Sequence, residues 1–174
     1  MRLRLVPLTM LTVTLIGCTD DMPTALSAGD APAVHAAVAP ELPFHGTLAT
    51  THTSVFDPNT YTAQIHLVGN GHATYLGKYT SVTDIVIDGA TLAGAGQTTW
   101  TAANGDVLTT TGTVQGMPSS DGTLSAVTTE TITGGTGRFA GATGSFITRQ
   151  VNLAPGVVSD GSVEGTVRFA NPTP

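Results

Sequence analysis

The chain has little of what disulfide bonding, metal binding and nucleic-acid binding require. Its one cysteine excludes an intrachain disulfide, and no group of His, Asp and Glu residues has the spacing of a metal site. Six Lys and Arg residues stand against twelve Asp and Glu residues, so the net charge is −6. No basic patch is available to neutralise a phosphate backbone, so we predict that nucleic acid is not a partner. Because no metal-ligand spacing is present, we also predict no metal, and we expect no cofactor.

The N-terminus has the pattern of a bacterial lipoprotein leader. Arg2 and Arg4 precede an apolar segment, Leu5–Ile16, and Leu15-Ile16-Gly17-Cys18 matches the lipobox at which a lipid is attached. The apolar segment is shorter than the roughly 20 residues that span a bilayer. We therefore predict a signal peptide at residues 1–17 and lipid attachment at Cys18.

Removal of the leader would leave a strongly acidic chain tethered to a lipid bilayer. Four cations would then stand against all twelve acidic residues, a net charge of −8 with His neutral. Thr19, rather than Asp, follows the cysteine, and this favours the outer membrane if the host has one. The predicted location is the bacterial cell envelope, with the folded domain in the periplasm or outside the cell.

Residues 18–43 are predicted to form a disordered tether. They are rich in Ala, Pro, Asp and Ser and contain no Phe, Tyr or Trp. Such a composition cannot offset the conformational entropy lost on ordering. The segment would hold a domain away from a membrane; the alternative is disorder without a role.

Residues 44–171 are predicted to form one all-β domain. Thr and Gly are abundant, and no window of a dozen residues shows a helical stripe of apolar residues. Asn-Gly and Asp-Gly pairs, typical of type I′ hairpin turns, recur between short Thr, Val and Ile runs. The pairs are Asn70-Gly71, Asp88-Gly89, Asn104-Gly105, Asp121-Gly122 and Asp160-Gly161. This spacing indicates a sandwich or a barrel, and closure into a barrel would remove exposed strand edges.

Nine stretches are candidate strands for a barrel of eight. The stretch 82–88 is the one expected to merge with a neighbour or to be absent. The nine candidates are 44–55, 60–69, 72–80, 82–88, 91–101, 106–115, 122–133, 144–153 and 162–170.

Glycine is densest in Ile132–Phe146, which has five glycines in fifteen residues and no proline. Glycine at this density indicates positive φ angles or the close approach of another backbone, so we predict a sharp corner or bulge between two strands. Phe139 would plug the core, and Arg138 would be exposed or bonded to nearby carbonyl groups. The predicted structural motif comprises Gly134, Gly135, Gly137, Phe139, Gly141 and Gly144.

The same segment also fits a loose dinucleotide-binding fingerprint, Gly135-x-Gly137-x-x-Ala140. That fingerprint works only where it opens a helix, whose N-terminus then holds the pyrophosphate. The residues that follow, from Gly141 to Thr148, are poor helix formers. We therefore prefer the β-corner.

The segment from Thr133 to Gly144, Thr-Gly-Gly-Thr-Gly-Arg-Phe-x-Gly-Ala-x-Gly, resembles the glycine-rich signature of allene oxide cyclases and dirigent proteins. Residues 73–80 and 102–106 are similar to blocks in bacterial proteins of that superfamily, and the resemblance covers about Phe44 to Phe169. It implies a small antiparallel eight-stranded barrel of calycin type that encloses a hydrophobic ligand. No position matches the carboxylates that these families use, so no catalytic residue is carried over.

Four residues are the candidates for a ligand site: His66, Tyr75, Glu130 and Arg149. If Asn70-Gly71 is a two-residue turn, His66 faces Tyr75 across a hairpin. The same register would place His66 and His72 on opposite faces.

Glu130 and Arg149 each interrupt a strand. Glu130 alternates with Leu124, Ala126, Thr128 and Ile132, and Arg149 alternates with Ile147 and Val151. A charge inside a barrel needs a partner, so our hypothesis is that the two pair inside the barrel or at its mouth. The alternative is two separate surface charges.

The leading interpretation is a membrane-tethered lipoprotein whose barrel binds a small apolar ligand without catalysis. The expected lining of the lumen is Ile65, Leu67, Leu76, Leu124, Ile132 and Phe146. One alternative is an enzyme, a cyclase-like isomerase or a dirigent-like coupling protein, and another is a structural domain of the envelope. Self-association into a homo-oligomer is left open.

Overall fold

The protein folds as a closed antiparallel β-barrel of eight strands, as the sequence predicts. The structure, a computed structural model, describes residues 39–120 and 123–170. Each strand pairs with the next one in sequence, and the eighth pairs with the first to close the barrel. The strands are β1 Leu42–Asp57, β2 Thr62–Ala73, β3 Gly77–Asp88, β4 Ala93–Ala102, β5 Val107–Pro118, β6 Leu124–Gly135, β7 Thr143–Leu153 and β8 Ser159–Arg168.

Alternation along each strand decides which side chains enter the barrel. On β3, Tyr79, Ser81 and Ile85 are buried, whereas Thr80 and Asp84, which lie between them, are exposed. Successive side chains of a strand point to opposite faces, so one set fills the lumen and the other meets solvent. Closure leaves no unpaired strand edge among the described residues.

The second half of candidate 72–80 and the candidate 82–88 form one strand, β3, so the expected merger took place. The prediction of a turn at Asn70-Gly71 is wrong, because β2 runs through both residues. A side chain at Gly71 would meet the Thr47 carbonyl oxygen and the Tyr79 ring, so this glycine permits close packing rather than a turn. His66 and His72 consequently lie on the same, outer face.

Two other predicted turns lie where they were expected. Asp88-Gly89 and Asn104-Gly105 both lie where one strand turns into the next. Asp160-Gly161 instead lies within β8, so that turn prediction is wrong. Asp121-Gly122 lies outside the described residues, as do the predicted signal peptide, Cys18 and most of the predicted tether.

The two ends of the barrel differ. At the closed end, where β1 begins, apolar side chains fill the lumen, and we call this group the aromatic plug. Four of its rings contact one another in a chain, tilted or edge-to-face, with centroids 4.9 Å apart for Phe44–Phe146, 5.5 Å for Trp100–Phe146 and 5.2 Å for Tyr79–Trp100. The plug also contains Leu48, Leu76, Leu108, Ile132, Phe139, Val163, Val167 and Phe169.

The glycine-rich segment forms a corner that covers the closed end. After β6, residues Gly137–Phe139 make one 3₁₀ turn, and β7 begins at Thr143. Phe139 is completely buried, and its ring centroid lies 5.8 Å from that of Phe169. No helix follows the glycines, which removes the basis of the dinucleotide alternative. Among residues 39–120 and 123–170, no helix is long and apolar enough to cross a membrane.

Candidate functional site

Beyond the aromatic plug, the lumen contains a layer of polar side chains, here called the polar layer. All of them point inward from their strands and are buried. They are Thr50, Ser81, Thr98, Thr110, Thr128, Glu130, Thr148 and Gln150. Buried hydroxyl and amide groups need hydrogen-bond partners, so the side chains of this layer have to bond to one another or to a bound group.

Most of the polar layer is internally bonded. Gln150 Nε2 donates to Thr50 Oγ1 at 2.6 Å, which joins β7 to β1 across the lumen. The indole Nε1 of Trp100 donates to Thr110 Oγ1 at 3.2 Å, which joins the layer to the aromatic plug below it. These bonds give the layer a defined geometry.

Glu130 is the acidic residue of the polar layer, and its carboxyl group is incompletely satisfied. Only 3% of the residue is exposed. Oε1 accepts a hydrogen bond from Thr98 Oγ1 at 3.3 Å, whereas Oε2 is buried without a partner. Burial raises the pKa of Glu130, and the nearby hydroxyl groups of Thr110 and Thr98 only partly oppose this effect.

The fold leaves room for this carboxyl group. A side chain at Gly112 on β5 would approach Glu130 Oε2 to 2.9 Å. Glu130 also lines a cavity of about 20 Å³, together with Thr50, Ser81, Thr128, Thr148 and Gln150. A cavity of this size holds about one water-sized group.

The other end of the lumen is an apolar opening, here called the mouth. It contains a cavity of about 50 Å³. Its lining side chains are His52, Ile65, Leu67, Ile85, Ile87, Val114, Leu124, Ala126, Thr128, Gln150 and Leu153. Leu67, Ile85, Thr128 and Gln150 line both cavities, so the mouth lies directly above the polar layer.

His52 is the one ionisable side chain that lines the mouth cavity. Its Nδ1 is buried without a hydrogen-bond partner, and burial lowers the pKa of His52, so the neutral form is favoured. The backbone carbonyl of His52 accepts a hydrogen bond from Gly156 N at 3.1 Å, which ties the β7–β8 loop to this edge. The mouth therefore has an apolar wall with one neutral imidazole.

The predicted pairing of Glu130 with Arg149 is wrong. Glu130 lies inside the barrel, but Arg149 projects from the outer face, where its Nη1 lies 3.7 Å from Glu164 Oε2. On β7 the inward positions are Phe146, Thr148 and Gln150. The apolar neighbours of Arg149 on its own side, Ile147 and Val151, belong to the outer face.

His66 and Tyr75 do not share a face either. His66 lies on the outer wall, where its Nδ1 is 2.7 Å from Asp84 Oδ1. Tyr75 lies in the β2–β3 turn at the closed end, and its ring centroid is 5.3 Å from that of Phe169. The sequence analysis had placed these two residues together because it assumed a hairpin turn at Asn70-Gly71, which the structure does not contain. Of the four predicted ligand residues, only Glu130 lies in the lumen.

The sequence analysis missed most of the polar side chains of the lumen, among them His52 and Gln150. His52 has the same parity as Phe44, Leu48 and Thr50 on β1, and this was the available signal. Gln150 shares its parity with Phe146 and Thr148. In contrast, the predicted lining residues Ile65, Leu67, Leu76, Leu124, Ile132 and Phe146 all face the interior.

The outer wall also carries a groove of about 420 Å³ beside His66 and Asp84. This groove is open to solvent, and the His66–Asp84 pair within it is already bonded. It contains no buried polar group without a partner. The lumen is therefore the better candidate for a binding site.

In the part of the chain that the structure describes, no three His, Cys, Asp or Glu side chains come together in a way that could hold a metal ion. The chemistry of the lumen therefore resides in one carboxyl group, one imidazole and a ring of hydroxyl and amide groups.

Comparison of the chain with protein-family models, with curated proteins and with solved structures found no match.

Proposed function

We propose that the barrel binds a small, mostly apolar molecule in its mouth and contacts the polar end of that molecule with the polar layer. One observation carries this proposal. The apolar cavity of the mouth adjoins a second cavity lined by Glu130, whose carboxyl group has one oxygen, Oε2, buried without a hydrogen-bond partner among the described residues. An apolar cleft with a few convergent polar groups and a shifted pKa is the usual form of a small-molecule site.

The cavity volumes limit the ligand. Together they are far smaller than the roughly 300–1,000 Å³ of sites that enclose drug-sized molecules. The lumen therefore accepts the end of a slender molecule, and the rest of that molecule lies at the rim. Apolar side chains are available there, because Phe56 and Tyr61 are about half exposed and stack edge-to-face with centroids 5.3 Å apart.

A cavity-filling variant tests the proposal. Ala126 lines the mouth and is 7% exposed, whereas Ala95 is exposed on the outer wall. Slender apolar ligands, such as medium-chain alcohols and phenols, should raise the melting temperature of the full-length protein. The substitution Ala126→Leu should abolish this rise, and the matched substitution Ala95→Leu should leave it intact.

If no ligand of the panel changes the melting temperature, the result would favour a structural domain of the envelope instead. That second candidate has its own support, because the aromatic plug packs the closed end of the lumen with buried apolar side chains. An isomerase of the cyclase type would use Glu130 as an acid. Turnover of a ligand by the wild-type protein, lost in Glu130→Gln, would favour this enzyme over a non-catalytic binder.

We further propose that the barrel belongs to the allene oxide cyclase and dirigent-like superfamily and is anchored to the cell envelope through a lipid on Cys18. The eight-stranded barrel and the glycine-rich corner support the first part, and the lipobox supports the second. One acyl chain binds a bilayer only marginally, so lasting attachment implies more than one. Mass spectrometry of the N-terminus, on protein from the native host, should find an acylated Cys18, and an unmodified Cys18 would disprove the anchor.

A further inference from the structure

Within residues 39–120 and 123–170, the carboxyl group of Glu130 has no cationic partner. All four Lys and Arg residues of the described barrel project from its outside. Lys78 is exposed, and the other three form ion pairs with surface acids: Arg138 with Asp106, Arg149 with Glu164 and Arg168 with Glu41. None of these cations reaches the polar layer.

The other ionisable groups that face the lumen do not supply a charge. The Tyr79 hydroxyl donates to the Thr47 carbonyl oxygen at 2.9 Å, and burial raises the pKa of this tyrosine, so it stays neutral. His52 faces the mouth and is also neutral. The other polar groups that line the cavity beside Glu130 are hydroxyl, amide and indole groups, and none of them carries a charge.

The space beside Glu130 has the size of one ammonium group. The cavity of about 20 Å³ fits a water-sized group, and Thr50, Ser81, Thr128 and Thr148, whose hydroxyl oxygens can accept hydrogen bonds, are among its lining residues. A carboxylate ligand would be larger than this space and would be repelled by the ionised form of Glu130. An alcohol would also fit, but it has one hydrogen-bond donor. An ammonium group has three donors and a positive charge that can pair with the Glu130 carboxylate.

We propose that the lumen binds a slender apolar primary amine, whose ammonium group enters the polar layer and pairs with Glu130 Oε2 while its hydrocarbon part fills the mouth. This inference rests on the proposed function and names the polar end of the ligand. The acidic character of the chain, which has a net charge of −6, is consistent with a cationic ligand.

The pairing has a pH dependence of defined sign. An ammonium group pairs with the ionised carboxylate, and burial holds the pKa of Glu130 above its ordinary value in the empty barrel. Amine binding therefore releases a proton when Glu130 starts out protonated, and the affinity falls as the pH is lowered. A neutral ligand in the same site would show no such release.

Isothermal titration calorimetry on the full-length protein tests the inference with three ligands of equal chain length: hexylamine, hexanol and hexanoate. Wild-type protein should bind hexylamine at least about tenfold more tightly than hexanol, since the gain from a charged hydrogen bond corresponds to about that factor. Hexanoate should not bind. Titrations in buffers of different ionisation enthalpy should show proton release for hexylamine alone.

Two matched variants locate the effect. Glu130→Gln should remove the preference for hexylamine, whereas Glu164→Gln, the same change on the exposed outer wall, should preserve it. Equal binding of hexanol and hexylamine, or a preference that survives Glu130→Gln, would overturn the inference and leave the proposed function standing. Failure of all three ligands to bind would overturn the proposed function as well.

Discussion

Phe139 and Arg138 are neighbours in the glycine-rich corner with opposite roles. The Phe139 ring is completely buried among apolar side chains. The Arg138 side chain is 37% exposed; its Nε donates to Asp106 Oδ2 at 2.8 Å and its Nη1 to the Tyr75 carbonyl oxygen at 2.9 Å. The expectation that Phe139 plugs the core and that Arg138 bonds to a carbonyl group is therefore confirmed.

Truncation of these two residues should have unequal effects on stability. Phe139→Ala removes a buried aromatic ring and should cost about 3–5 kcal/mol of unfolding free energy. Arg138→Ala removes a surface ion pair and should cost much less. Chemical denaturation of both variants measures the difference, and equal shifts in the denaturation midpoint would show that the corner is not organised around Phe139.

Glu130 should make the protein less stable as the pH rises. Because its pKa is raised in the folded state, the folded protein holds this proton more tightly than the unfolded chain does. Stability is therefore greatest below the pKa of the unfolded state and is lost as the pH rises through the pKa of the folded state. Glu130→Gln lacks this loss and should be more stable than wild type at neutral pH.

Denaturation curves of wild type and Glu130→Gln between about pH 5 and pH 8 measure this effect. Hydrogen bonds from backbone or side-chain groups lower the pKa values of Asp57, Asp88 and Asp106. The stability that these three acids contribute is lost as the pH falls, which is the opposite of the pH dependence of Glu130. They are present in both proteins, so their contribution cancels in the difference. A constant difference across the range would contradict the assignment.

At the scale of the element, the glycine-rich corner joins the loops of the closed end. Arg138 connects it to the β4–β5 turn through Asp106 and to the β2–β3 turn through Tyr75. The Thr136 hydroxyl accepts a hydrogen bond from Val107 N at 3.0 Å. Close contact is possible because Gly137 has no side chain, since a Cβ there would collide with the Asp106 carboxyl group.

Gly137 and Gly105 form a matched pair for testing this contact. Both have positive φ angles, +56° and +89°, but a Cβ at Gly105 meets nothing within 4 Å. Gly105→Ala should therefore show only the cost of the backbone conformation, on the order of 1–2 kcal/mol. Gly137→Ala should cost clearly more in the same thermal or chemical denaturation experiment. Equal losses would mean that Asp106 moves aside without penalty.

Element boundaries were predicted well where a turn needs glycine and poorly where glycine serves packing. Asp88-Gly89 and Asn104-Gly105 are turns, but Gly71 and Gly161 lie inside strands because a neighbouring strand passes too close for a side chain. A single sequence does not distinguish the two uses. The Asn70-Gly71 error then displaced the partner of His66 and created the false pair with Tyr75.

At the scale of the molecule, the sequence predicted the barrel and the inward position of Glu130 but not the full composition of the lumen. The interior is narrow and rich in Thr and Gly, while aliphatic side chains such as Val55, Val86 and Val151 are exposed on the outer wall. Polarity therefore differs little between the two faces of a strand. Arg149 was assigned to the lumen for this reason.

The two ends of the barrel should differ in local stability. The aromatic plug is a large buried cluster, whereas the cluster at the mouth contains five buried residues that each keep 5–9% of their surface exposed. Regions with fewer buried contacts open at a lower free energy. Backbone amides of Leu48, Trp100 and Ile132 should therefore exchange with deuterium about tenfold or more slowly than those of Ile65, Ile87 and Leu124. Uniform exchange measured by NMR would indicate that the barrel opens as one unit.

The chain has one tryptophan, and the barrel places it at the boundary between the aromatic plug and the polar layer. Trp100 lines the same cavity as Glu130. Tryptophan fluorescence therefore comes from a single layer of the molecule, next to the Glu130 carboxyl group and the cavity in which a ligand would bind. The protein carries its own optical probe, and an emission spectrum recorded without any label reports the state of that layer alone.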